Sequence, residues 1–144
     1  MVVKTQQGFS LIEIMIVVSL MVLLTTMTVP LAGAWIANSR IADAENKIRQ
    51  GYKKVISLAI RNASASSGTA ASLNYNNTTN TITIVKNGSA AVLWKAQYHS
   101  DTSIAIGSCT TQVNYDNNGF PTNSACQSYT ISAPGGTSAT GTLP

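Results

Sequence analysis

Gly8-Phe9-Ser10-Leu11-Ile12-Glu13 begins a stretch that continues Ile14-Met15-Ile16-Val17-Val18-Ser19-Leu20-Met21-Val22-Leu23-Leu24-Thr25-Thr26-Met27-Thr28-Val29-Pro30-Leu31. Between Lys4 and Arg40 the one ionisable side chain is Glu13. The 23 residues from Phe9 to Leu31 would extend about 35 Å as a helix rising about 1.5 Å per residue, enough to cross a hydrocarbon core of about 30 Å. Lys4 before the run places that side in the cytoplasm on the positive-inside rule.

Three readings compete for this segment. A plain membrane anchor accounts for its length but not for Glu13, because a carboxylate one turn into a bilayer helix is costly and points to function. A secretory signal peptide would use the small-x-small site Ala32-Gly33-Ala34 and be cut before Trp35. Its apolar stretch is longer than a signal h-region, however, and it still contains Glu13. The third reading takes Gly8, Phe9 and Glu13 together and rests on a resemblance.

Gly8-Phe9-Ser10-Leu11-Ile12-Glu13 closely resembles the prepilin cleavage motif of type IV pilins and type II secretion pseudopilins. The resemblance implies a leader of residues 1–8, cut after Gly8 by a prepilin peptidase that also methylates the new N-terminal residue, Phe9. It makes Glu13 the fifth mature residue, as the family pattern has it. In that family the matching glutamate neutralises the N-terminal ammonium of an adjacent subunit, so Glu13 is the expected assembly contact. Pairing two poorly solvated charges is strongly favoured over leaving either alone. Glycine has no side chain to obstruct entry of the peptide bond into a protease. Pro30 becomes the twenty-second mature residue, where pilins often carry proline. Because proline removes a backbone donor and clashes with the preceding turn, the helix is expected to be kinked or interrupted near Pro30, helped by the β-branched Thr25, Thr26, Thr28 and Val29.

Beyond Pro30 the pattern turns amphipathic. Ala37, Ile41, Ala44, Ile48, Val55 and Ala59 recur at helical spacing, with Tyr52 beside them. Asp43 precedes Lys47, and Glu45 precedes Arg49, by four residues, the favourable order for helix ion pairs. These features predict one helix from about Phe9 to Asn62. Its first half, residues 9–31, would be the transmembrane and filament-core part. Its second half, residues 32–62, would pack on a head formed by residues 63–144.

The head is rich in Ser, Thr, Asn, Gly and Ala. Ala63–Ala71 reads as a loop. Thr81–Val85, Ala91–Gln97, Ser103–Ile106, Thr111–Tyr115 and Ser128–Ser132 read as strands. Asn87-Gly88 marks a hairpin turn between the first two, and Asp116-Asn117-Asn118-Gly119 marks another turn. Pro134–Pro144 reads as a loose tail. The expected fold class is α+β: a long N-terminal helix on a small antiparallel sheet, the pilin fold. Ser57-Leu58-Ala59-Ile60-Arg61-Asn62 and Val113-Asn114-Tyr115-Asp116-Asn117-Asn118-Gly119-Phe120-Pro121 are similar to segments of GspH pseudopilins and FimU/FimT-type minor pilins.

Two cysteines, Cys109 and Cys126, have no accompanying His pair. They suit a disulfide if the head leaves the cytosol, and no common zinc site. Charged residues make up 10% of the chain and the net charge is +4, which neither demands nor excludes a nucleic-acid partner. Lys47, Arg49, Lys53, Lys54 and Arg61 form the basic patch, all on the helix, and no Arg or Lys follows Lys95. DNA-binding minor pilins of the family carry arginine-rich C-terminal motifs, so this departure disfavours DNA. His99 is the sole histidine. With no triad or carboxylate pair to place around it, and with Asp101 and Asp116 reading as turn residues, an enzyme is not expected. Gly135-Gly136 precedes no helix and is not a phosphate loop. No cofactor and no metal is expected. The expected partners are the prepilin peptidase, other pilin or pseudopilin subunits, an inner-membrane assembly platform and, before assembly, inner-membrane lipid with the head in the periplasm. The expected function is that of a minor pilin. The alternatives are a GspH-like pseudopilin of a secretion machine and a DNA-binding minor pilin of competence.

Overall fold

The computed structural model describes residues 8–62, 68–89 and 91–143, without the side chains of residues 29–31. The leader before Gly8, residues 63–67 of the expected loop and the Pro30 side chain lie outside the described residues.

The chain divides into two compact units, Met1–Gly33 and Ala34–Pro144. Helix α1, Leu11–Ile60, is one unbroken, bent helix, so of the kink or interruption expected near Pro30 the interruption does not form. In the first unit, every described side chain from Phe9 to Thr28 is exposed. The serine and threonine hydroxyls at positions 19, 25, 26 and 28 bond locally. Ser19 Oγ donates to the Met15 carbonyl at 2.7 Å, and Thr25, Thr26 and Thr28 hydroxyls donate to carbonyls three or four residues back. Each hydroxyl is thus satisfied without a partner helix.

In the second unit the predicted stripe is the core face of the helix. Ala37, Ile41, Ala44, Ile48, Tyr52, Val55 and Ala59 are all buried. They pack with two antiparallel sheets rather than the single sheet expected. The first contains β1 (Ala71–Asn76), β2 (Thr81–Lys86), β3 (Val92–Gln97) and β5 (Gln112–Tyr115), in the order β3-β2-β1-β5. The second contains β4 (Ser103–Ile106), β6 (Ser128–Ser132) and β7 (Ala139–Thr142), in the order β4-β6-β7. Inward residues alternate along the strands, as a half-buried sheet requires: Leu73 and Tyr75, Ile82 and Ile84, Ile104 and Ile106, Val113 and Tyr115, Tyr129 and Ile131. The Tyr52 and Tyr115 rings meet edge to face at 5.9 Å, a favoured aromatic geometry.

Two strands depart from expectation. β1 begins at Ala71, where the loop was expected to end. It pairs with β2 through a turn in which Asn76 Oδ1 accepts from the Thr78 and Thr79 amides. β7 lies in the tail expected to be loose; it pairs with β6, and Leu143 just beyond it is buried. Opposite Tyr129 on β7 stands Gly141. A Cβ there would overlap the Tyr129 ring, so glycine lets the ring lie across the strand.

The expected hairpin between β2 and β3 forms, with Gly88 at φ +82° and a bulge at Ile84/Val85. Asp116 Oδ1 accepts from the Asn118 and Phe120 amides, and Gly119 at φ +84° closes that turn against Ile56 and Ile60. Asn77 joins the two sheets. Its Oδ1 accepts from the Ile104 amide at 3.0 Å and the Tyr98 hydroxyl at 2.7 Å, while its Nδ2 donates to the Ile104 carbonyl at 2.8 Å. Burial, with Tyr75 nearby, pushes the Tyr98 hydroxyl up to about 12.

Candidate functional site

The segment from Gly8 to Glu13 crosses a helix boundary. Gly8, Phe9 and Ser10 precede α1, and the Ser10 carbonyl accepts from the Glu13 amide at 3.0 Å and the Ile14 amide at 3.2 Å. Ser10 therefore occupies the capping position and Glu13 the third position of the helix. Ser-x-x-Glu is itself a helix-start signature, and a carboxylate in the first turn suits the positive end of the helix dipole. The bond between Gly8 and Phe9 thus lies in non-helical backbone. A Cβ added at Gly8 would meet no atom of the described residues within 4 Å, so packing among them does not require glycine there.

Phe9 is 80% exposed. Glu13 is exposed too, and among the described residues its side chain has no hydrogen bond and no ion pair. Large apolar side chains surround it: Leu11, Ile12, Ile14, Met15, Ile16 and Val17 are all exposed. The helix that carries them is long and apolar enough to cross a membrane by length and composition. One unpartnered carboxylate in an apolar helix that has no polar stripe is poorly suited to a water-facing surface.

The second unit holds the remaining candidates. Cys109 and Cys126 are joined by a disulfide, with Cα atoms 5.6 Å apart. The bond ties the segment after β4 to a 3-10 turn, Ser124–Cys126, before β6. Asp101 is more than a turn residue: its Oδ2 accepts from Arg40 at 2.7 Å, which pins the helix to the loop between β3 and β4. His99 Nδ1 accepts from the Asp101 amide at 3.2 Å, a local turn contact. Among the described residues no group of three or more His, Cys, Asp or Glu is placed to hold a metal ion.

The basic patch is dispersed. Lys47 pairs with Asp43 at 2.6 Å and Arg49 with Glu45 at 2.8 Å, as the four-residue spacing predicts. Arg49 and Lys53 line one concavity with Tyr52, Thr142 and Leu143, whereas Lys54 and Arg61 line another with Leu93 and Trp94. Glu45 also accepts from the Tyr129 hydroxyl at 2.7 Å. That bond, together with Arg49, holds its carboxyl below the usual carboxylate value. The Tyr129 contact spans helix and sheet and had no local signature in the sequence.

Residues 3–29 match the family model described as the prokaryotic N-terminal methylation motif. That motif is typical of type IV pilins and pseudopilins, which are structural proteins without enzymatic activity, and it implies processing by a prepilin peptidase. No curated protein and no solved structure matches the chain.

Proposed function

We propose that the chain is a structural subunit of a type IV pilus, a minor pilin with a GspH/FimU-like head, matured by cleavage between Gly8 and Phe9 and methylation of Phe9. The observation that carries this reading is Glu13: an unpartnered carboxylate at the start of an exposed, apolar helix, inside the stretch that matches the methylation motif. After cleavage the Phe9 ammonium stands beside the positive end of α1, where the helix dipole disfavours a cation. A carboxylate from a neighbouring subunit offsets that disadvantage, and Glu13 supplies one to each neighbour in turn. Burial of Phe9–Leu31 among copies of the same kind of helix removes its apolar surface from lipid and brings each ammonium into register with a glutamate.

Before assembly the same helix holds the subunit in the inner membrane, with the head outside the cytoplasm, a location that suits the Cys109–Cys126 disulfide. Dispersal of the basic patch and pairing of two of its cations weigh against a DNA-binding head. The test is the composition of purified surface filaments by mass spectrometry. The chain is expected there at low copy number relative to the main subunit. Its presence as the main subunit, or only in the periplasm of secreting cells, would instead mean a major pilin or a secretion pseudopilin.

A further inference from the structure

The last turns of α1 and the edge strand β3 enclose a groove of about 350 Å³, lined by Lys54, Ser57, Leu58, Arg61, Leu93 and Trp94. Lys54, Ser57 and Leu58 on α1, and Arg61 just past its end, are spaced by three, one and three, so they share one face. Among the described residues β3 pairs only with β2, which leaves its other edge open. Val92 and Leu93 on that strand are 54% and 47% exposed. Open apolar edges favour addition of another strand.

Charge singles out the kind of strand. Lys54, Arg61 and Lys95 make no ion pair among the described residues. The four acids of the second unit are engaged elsewhere: Asp43, Glu45 and Asp101 in ion pairs, and Asp116 in its own turn. Trp94 lies against Gly51, where an added Cβ would come within 3.1 Å of the ring. The indole edge packed against Gly51 makes Trp94 a wall of the groove.

We propose that this groove receives an extended acidic segment of a neighbouring protein subunit. The segment adds to the open edge of β3, seats an apolar side chain against Leu58, Leu93 and Trp94, and directs carboxylates to Lys54 and Arg61. This proposal rests on the filament-subunit reading, which supplies the neighbour. The test uses the full chain in detergent micelles, followed by amide NMR. The probes are a capped peptide of alternating glutamate and valine, the same peptide with glutamine for glutamate, and an oligothymidine. The expected result is saturable shifts confined to Val92–Gln97 and the facing helix turns with the glutamate peptide. Binding should weaken roughly tenfold in Lys54→Glu/Arg61→Glu and fall with added salt. Equal binding of the glutamine peptide, unchanged binding by the variant, no saturable shift, or tighter binding of oligothymidine would overturn the proposal. Because the N-terminal residue of the same preparation is read independently by mass, failure of the groove and failure of the filament reading are separable.

Discussion

Among the described residues a methyl group at Gly8 would touch nothing, so on the proposed reading the demand for glycine there comes from the prepilin peptidase. Gly8→Ala is therefore expected to leave the fold and membrane insertion unchanged while the protein stays at its precursor mass on immunoblots. Glu13→Ala is expected to do the opposite: normal maturation, with subunits absent from filaments. Normal recovery of Glu13→Ala in filaments would remove the assembly role. The Glu45 carboxylate permits a sharper physical test. Its value is lowered in the folded chain, first by the Tyr129 hydroxyl and then by Arg49. A lowered carboxylate contributes stability above its unfolded value of about 4.3, and that contribution is lost as pH falls through the folded value. Tyr129→Phe should cost about 1 kcal/mol at neutral pH. In denaturant titrations, the gap from the parent should shrink as pH falls below about 4.

At the level of elements, helix α1 was legible because its signals are dense and local. A long, mostly apolar run marks its first half, and a stripe at helical spacing from Ala37 to Ala59 and two acid-base pairs agree with the buried face and the ion pairs observed in its second. Strands β2 to β6 were legible from β-branched residues bounded by Asn-Gly and Asp-Asn-Asn-Gly turns. β1 carries the period-two alternation Ala71, Leu73, Tyr75, but its intervening Ser72, Asn74 and Asn76 depress strand propensity and hid it. β7, Ala-Thr-Gly-Thr, has no apolar alternation at all. Its pairing with β6, where the Tyr129 ring lies by Gly141, is long-range and leaves no local mark in the sequence. The division into two sheets was equally hidden, because the Asn77 bridge to Ile104 joins residues distant in sequence. The candidate site was more visible than the head: Gly8, Phe9 and Glu13 fall within six consecutive residues, whereas the groove beside β3 draws on helix and strand together. Within the head, the Cys109–Cys126 bond closes a loop whose release on reduction is expected to cost about 3 kcal/mol. Denaturation of the full chain with and without reductant measures it. No change would mean that the sheets hold the loop without the bond.

The whole molecule joins two kinds of surface on one helix. Residues of the first unit expose apolar side chains in every direction, while those of the second bury a stripe in a head with its own core. Such a division suits a subunit stored in lipid and then moved into a filament, with the head soluble throughout. On the proposed reading, the passage from lipid to filament requires one covalent event, cleavage of the Gly8–Phe9 bond. Intact-mass and N-terminal peptide analysis of the protein purified from its own cells reads that event directly. The account predicts a mature chain that begins at N-methylated Phe9. A chain that still begins at Met1, or one that begins at Trp35 after signal-peptide cleavage, would contradict it.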